Sequence, residues 1–416
     1  MTPSRLIAIA AFAAAFTVVG AVSAHAQQPR VQAFTGFSLM DGTERTPVAD
    51  AAMIVRDGRV VATGTASTVT IPAGAERIDL GGRFVIPGLV NAHGHVNAPA
   101  DLRTYAAYGV TTVFSLGGDS PAVFAARDSQ AVPTLNRARV WVAGPVLDPA
   151  TPDDARAQVA GVKAMGADIV KIRVDDNLGT TRKMAPEVYR AVIAEAHRLD
   201  LRVAAHLFYL ADAKSLLAAG ADLVAHSVRD AEVDDAVIAS LKASGVCVSP
   251  TLMREVSTFV YESTPEWFTD PLFVRHANRE WMATVQQPAR QQALRQSTSA
   301  QRYKVALDVA STNVKRLHDA GVPIVMGTDT GPMGRFQGYF ELMELELMVK
   351  AGLTPQQVLT AATRDAARCM KLDREVGTLE PGKWADFVVL DADPLASISN
   401  VRRIVQVRIA GNRVER

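Results

Sequence analysis

Four histidines of this sequence stand where short apolar runs end. His93 and His95 close Pro87-Gly88-Leu89-Val90-Asn91-Ala92-His93-Gly94-His95, His206 closes Val203-Ala204-Ala205-His206, and His226 closes Val224-Ala225-His226. Side chains two residues apart on a strand share a face, so His93 and His95 can converge on one point. Four imidazoles gathered at strand ends without a cation would leave polar ring nitrogens in need of partners, and the set therefore reads as metal ligands. Asp329, in Met326-Gly327-Thr328-Asp329-Thr330, adds a carboxylate that can bind a cation and take a proton from an attacking water. Taken alone, it reads equally well as a turn residue opening the next element. Lys171 sits among Ile and Val in Asp168-Ile169-Val170-Lys171-Ile172-Arg173, and lysine is rarely buried unpaired. Carboxylated by CO2, it becomes a carbamate able to bridge two cations; on an exposed strand face it would need no partner. The remaining histidines are His25, near the N-terminus, and His197, His276 and His318, in polar helical stretches read as surface or structural.

Elements must carry these groups to one place. From Phe84 onward, eight short apolar runs alternate with helix-length segments: Val85–Asn91, Thr112–Leu116, Val140–Ala143, Ile169–Val174, Val203–Leu207, Leu223–Ser227, Val246–Leu252 and Ile324–Thr328. Helical periodicity is plain in Pro186–Leu199, Ala211–Ala219 and Val305–Ala320. Eight strand–helix repeats predict an α/β fold, a (β/α)8 TIM-type barrel whose strands end at a catalytic mouth. A doubly wound open sheet is the alternative, but no glycine-rich phosphate loop follows the first strand. A closing helix over Gln356–Met370 is predicted by the Thr354 N-cap, Pro355 and a capping-box Gln357. Both ends of the chain read as β, with a hairpin at Asp57-Gly58, which predicts a small β-sandwich domain built from both termini. The long polar, aromatic-containing stretch 259–302 fits helices over the barrel mouth. The expected domains are 27–84 and 373–416 for the sandwich and 85–372 for the barrel.

The first residues read MTPSRLIAIAAFAAAFTVVGAVSAHAQ: a basic residue, an apolar run, then Ala24-His25-Ala26. This predicts a signal peptide over 1–26, cleaved after Ala26, and a secreted or periplasmic protein with no stable membrane insertion. Lys and Arg total 44 against 43 Asp and Glu, with no basic block, which argues against a nucleic-acid partner. The partner expected is a small-molecule substrate, with a homo-oligomer left open. Cys247 and Cys369 lie in largely apolar contexts and are expected as two buried free thiols.

Pro87-Gly88 leading to His93-x-His95, then Lys171, His206, His226 and Asp329 in this order, resembles the amidohydrolase superfamily, in its imidazolonepropionase/prolidase-like branch of binuclear, carboxylated-lysine enzymes. The resemblance extends over essentially all of the chain after the leader and includes Gly377-x-Leu379-x-Pro381-Gly382-Lys383-x-Ala385-Asp386. It implies that His93, His95 and Asp329 hold the more buried of two divalent metal ions, that His206 and His226 hold the second, and that carboxylated Lys171 bridges them. Imidazole and carboxylate suit Zn2+, and Mn2+, Co2+ or Fe2+ fit them too. By that resemblance two such ions would acidify a water and polarise the substrate carbonyl, and Asp329 would act as the catalytic proton carrier. Arg173, Tyr209, Arg229 and Arg254 follow strand-end ligands or strands and are candidates for binding a substrate carboxylate or oxyanion; a surface or structural role serves each equally well. The expected activity is hydrolysis of an amide-type C–N bond in a dipeptide, N-acyl amino acid or cyclic amide. The alternatives are hydrolysis of an ester, lactone, carbamate or phosphotriester, a lyase or isomerase reaction, or binding without catalysis; the complete ligand set argues against the last two.

Overall fold

The structure, a computed structural model, describes residues 30–416. The signal peptide expected over 1–26 lies outside the described residues. Four strands open the chain: β1 (Val31–Leu39), β2 (Val48–Arg56), β3 (Arg59–Thr65) and β4 (Glu76–Pro87). β2 and β3 form the hairpin read from Asp57-Gly58, both of which take positive φ, as a tight two-residue turn requires. Eight short strands follow: β5 (Leu89–Gly94), β6 (Val110–Ser115), β7 (Arg139–Val142), β8 (Val146–Leu147), β9 (Val170–Arg173), β10 (Val203–His206), β11 (Leu223–Ala225) and β12 (Cys247–Ser249). Three strands close the chain: β13 (Phe387–Leu390), β14 (Ile404–Ile409) and β15 (Asn412–Arg413).

Strands from both ends share one seven-stranded sheet, in the order β15-β14-β13-β4-β1-β2-β3. The middle strands form two all-parallel sheets, β5-β6-β7 and β12-β11-β10-β9-β8. Every residue of β5, β6, β10, β11 and β12 is buried, as parallel strands covered on both faces must be. Backbone hydrogen bonds cross both seams between these sheets. At one, Asp168 N–H donates to Val142 O at 2.8 Å. At the other, Val325 N–H donates to Val248 O at 3.0 Å, while Ala92 N–H donates to Met326 O at 2.9 Å.

Four sequence expectations need correction. The run Val85–Asn91 is divided between two sheets: β4 ends at Pro87, and β5 begins after Gly88, where a Cβ would collide with the side chain of Thr111. The eighth run, Ile324–Thr328, is an isolated bridge between Ile324 and Val248 rather than a strand. The closing helix is two helices, Pro355–Ala361 and Arg364–Cys369. The capping box at Thr354 and Gln357 is present, but the carbonyls of Ala361 and Ala362 turn aside to accept the N–H groups of Met326 and Val90, at 3.1 and 2.8 Å, and this interrupts the helix beneath the strands. Finally, Cys247 and Cys369 are disulfide-bonded, with Cα atoms 6.1 Å apart. Cys247 opens β12 and Cys369 ends the last of those helices, so packing of the helix against the strand starts brings the two thiols together.

The stretch 259–302 is a run of short helices, including Pro271–His276, Arg279–Val285 and Pro288–Arg295. Its Trp267, Phe268 and Phe273 pack with Phe336 and Tyr339 in one aromatic cluster.

The disulfide closes a loop with a sequence separation of 122. Replacing both cysteines by serine is expected to cost about 2–4 kcal/mol of stability. Reductant should lower the Tm of the wild type but leave that of the double variant unchanged; a wild-type Tm indifferent to reductant would contradict this.

Candidate metal centre

Three residues at the mouth of the parallel strands hold positive φ: His226 at 102°, Thr251 at 52° and Asp329 at 57°. Left-handed backbone costs a non-glycine residue roughly 1–3 kcal/mol and persists only where surrounding bonds fix it. Those bonds are present. Asp329 N–H donates to His93 O at 2.7 Å, His226 N–H to Ser249 O at 2.9 Å, and the Thr251 hydroxyl meets His226 Nδ1 at 2.6 Å. Beneath them, buried Glu341 accepts hydrogen bonds through Oε1 from Asn91 Nδ2 at 2.6 Å, from Thr328 Oγ1 at 2.7 Å and from Thr330 Oγ1 at 2.6 Å. Asn91 Oδ1 in turn accepts from His93 N–H at 2.9 Å. One carboxylate thus ties the strand bearing His93 to the segment bearing Asp329.

The six predicted ligands surround one small volume. Asp329 Oδ1 lies 2.8 Å from His95 Nε2 and 3.4 Å from His93 Nε2, and Asp329 Oδ2 lies 4.0 Å from His226 Nε2. Lys171 Nζ is 3.1 Å from His93 Nε2. The rings of His93 and His226 are 4.7 Å apart between centroids, and those of His206 and His226 are 4.1 Å apart. Ligand atoms of His93, His226 and Asp329 all fall within 4.8 Å of one another.

Burial sets the charge states. It drives His93 down to about 3 and His206 and His226 well below the usual imidazole value, so all three present neutral rings near neutral pH. Lys171, fully buried, falls to about 7, where much of it is free amine. Burial alone would raise the Asp329 carboxyl, but Arg335, His93 and His95 hold it well below the carboxylate range.

These residues suit a cation, and one contact demands a positive charge. His95 Nδ1 lies 2.8 Å from the carbonyl oxygen of Gly117, which only accepts, so Nδ1 carries the hydrogen. In a neutral ring, Nε2 is then a lone pair, and it faces Asp329 Oδ1 at 2.8 Å. Two acceptors hold that distance only with a proton or a metal ion between them. Nearby, His93 Nδ1 and His226 Nε2 are buried without a hydrogen-bond partner.

The profile of the amidohydrolase family matches residues 84–414. The chain belongs to the amidohydrolase family. It is 27% identical over 382 residues to the imidazolonepropionase of Streptomyces coelicolor, covering 85% of this chain and 89% of that protein. It is 28% identical over 386 residues to the imidazolonepropionase of Deinococcus deserti, covering 89% and 94%. Among solved structures, a proposed prolidase from Bifidobacterium longum superposes with a TM-score of 0.75 at 25% identity, covering 93% of this chain and 95% of that one. A Xaa-Pro dipeptidase shares the fold with a TM-score of 0.74 at 18% identity, over 93% of this chain and 100% of that one. The parallel-strand α/β architecture is similar to that of amidohydrolase barrels, and the chain is a hydrolase of carbon–nitrogen bonds in a family of metal-dependent enzymes.

In this amidohydrolase, the four candidate substrate contacts have different surroundings. Arg173 is part-exposed and donates to Asn177 Oδ1 at 2.5 Å. The Tyr209 hydroxyl donates to Asp176 Oδ1 at 2.9 Å. Arg229 is buried; its guanidinium donates to the carbonyls of Leu207 and Ser227, each at 2.8 Å, and lies 3.0 Å from Glu255. Arg254 is buried, 3.1 Å from Glu255, with its guanidinium 4.7 Å from the centre of the Tyr303 ring.

The sequence reading passed over three groups. Asp175 accepts from His206 Nε2 at 2.8 Å, which fixes that ring's tautomer and leaves Nδ1 for a metal. Lys171, Arg173 and Asp175 alternate with apolar residues, so strand periodicity carried this signal. Glu255 sits between two arginines, and Arg335 pairs with Asp329; nothing in their local sequence marks either contact.

Glu344 is likewise buried and accepts the N–H groups of Leu252 and Met253, at 2.8 and 2.7 Å, holding the short helix that carries Arg254. Burial pushes its carboxyl up from 4.5 to about 8. The folded chain therefore keeps this proton while the unfolded chain releases it, and the group's contribution to stability falls as pH rises between those values. Glu344→Gln is expected to remove this dependence, so the variant gains on the wild type by up to about 1.4 kcal/mol per pH unit across that window. Denaturant titrations at about pH 5 and about pH 8 check it; a stability gap that stays constant between the two would contradict the assignment.

Proposed function

We propose that this amidohydrolase is an exported, binuclear metal-dependent hydrolase of an acyl–nitrogen bond, taking a dipeptide, an N-acyl amino acid or a cyclic amide. The observation that carries the reading is the 2.8 Å approach of His95 Nε2 to Asp329 Oδ1 beside the buried rings of His93, His206 and His226. His93, His95 and Asp329 would hold one ion, His206 and His226 the second, and Lys171, as a carbamate, would bridge them. The low amine pKa of Lys171 supports carboxylation, because CO2 adds to the free amine. When bound, the two ions would acidify a water and polarise the scissile carbonyl.

The chain's own residues do the rest. Asp329 is held ionised, so it can accept a proton from the attacking water and pass it to the leaving nitrogen. Asp175 and the Gly117 carbonyl fix the His206 and His95 rings in the tautomers that aim a lone pair at the site. The short helices of 259–302 pack against the loop after Asp329, through Tyr261 on Gly334 and through Trp267 and Phe273 on Phe336.

The supporting frame is a closed (β/α)8 barrel over about residues 85–372, with a β-sandwich from 27–84 and 373–416. The hydrogen bonds across both seams of the parallel sheets favour closure, and the seven-stranded sheet drawn from both chain ends favours the second domain. Among the described residues, no helix is long and apolar enough to cross a membrane. The Cys247–Cys369 disulfide suits an oxidising compartment and supports removal of residues 1–26 on export.

Purified protein is expected to carry about two zinc-sized ions per chain, to lose activity on chelation and to regain it with Zn2+ or Mn2+. Asp329→Ala and His93→Ala should each lower kcat/KM by at least about 100-fold while circular dichroism stays native. The measurement is a panel of dipeptides, N-acyl amino acids, cyclic amides, aryl esters and lactones. Turnover that survives either substitution, or confinement of activity to the esters and lactones, would overturn the reading.

A further inference from the structure

The loop after Asp329 holds an arginine that the proposed chemistry does not use. Arg335 lies between Gly334 and Phe336, in a turn whose glycines, Gly331 and Gly334, have φ of 115° and 84°. A side chain at Gly331 would strike His95, so the loop lies directly on a predicted ligand. From above, the Tyr261 hydroxyl donates to the Gly334 carbonyl, which pins the loop under the short helices. Arg335 therefore projects into the mouth from a fixed base, and its guanidinium bonds to Asp329 Oδ2 and, at 3.2 Å, to Ser257 Oγ.

Among the described residues, Arg335 makes one ion pair, and its partner is Asp329. The other carboxylates at hand are taken: Glu255 serves Arg229 and Arg254, and Asp175 serves His206. Once Asp329 ligates a cation, the mostly buried guanidinium loses its counter-charge while positive charge accumulates around it. A buried charge in that position calls for an anion, and an arginine fork matches the two oxygens of a carboxylate.

We propose that Arg335 is a specificity-determining residue that guards Asp329 in the metal-free protein and, with metal bound, receives the carboxylate of the substrate. The inference rests on the acyl–nitrogen reading above. It narrows that reading to substrates bearing a free carboxylate beside the scissile bond, such as N-acyl amino acids, and predicts that their amides and esters bind poorly.

The test compares wild type with Arg335→Met and Arg335→Lys. Zinc affinity, measured by competition with a chromophoric chelator, should rise at least tenfold in Arg335→Met, since Asp329 is no longer occupied. Equilibrium binding of an N-acetyl amino acid and of its C-terminal amide to the zinc-loaded proteins should show at least tenfold preference for the acid in wild type. That preference should vanish in Arg335→Met and return in part in Arg335→Lys. With a hydrolysed substrate, the loss should fall mainly on KM rather than kcat. Unchanged zinc affinity in Arg335→Met, or wild-type binding that treats acid and amide alike, would overturn the assignment. Carboxylate-selective binding without hydrolysis would count against the proposed reaction and leave the role of Arg335 standing.

Discussion

The molecule is organised around a contact that two acceptors make in a shielded mouth. His95 Nδ1 faces the Gly117 carbonyl, and its Nε2 stands 2.8 Å from a carboxylate oxygen of Asp329. Left without positive charge between them, those atoms repel, and the low dielectric of their surroundings strengthens the repulsion. Three further imidazoles, kept neutral by burial, and an amine of depressed pKa stand around the same point. Such a cluster destabilises an isolated chain and becomes favourable with metal ions in place, which is the common logic of metal sites coupled to their folds.

Maintaining that arrangement takes a frame that tolerates strain. His226, Thr251 and Asp329 all take left-handed backbone in short segments whose regular pairing has already ended. The buried Glu341 network and the backbone bonds from Asp329 to His93 and from His226 to Ser249 supply the restraint. Beneath the strands, the Cys247–Cys369 bond and the carbonyls of Ala361 and Ala362 fasten the helices to the strand starts. Rigid bonding thus lies on both sides of the candidate ligand positions.

The grouping of these residues was legible in the sequence because candidate ligands at the ends of apolar runs announce themselves twice, by residue type and by position. His93-x-His95 followed from period-two alternation, His206 and His226 from their places after apolar runs, and the parallel strands from apolar runs of the right length. What escaped depended on long-range packing. At Gly88, where the run divides, the close approach of Thr111 leaves no room for a side chain, the break after Ala361 reflects hydrogen bonds to strands far away in sequence, and the disulfide joins residues 122 apart. Arg335 escaped for the same reason: a loop arginine has no signature until the fold sets Asp329 beside it.

Anomalous scattering at the zinc absorption edge, from crystals of the zinc-loaded protein, tests the central claim most directly. The account predicts two peaks about 3.5–4 Å apart, the first touching His93, His95 and Asp329, the second touching His206 and His226, with carbamate density on Lys171 between them. Crystals in which these residues carry no anomalous peak, with His95 instead protonated against Asp329, would contradict it.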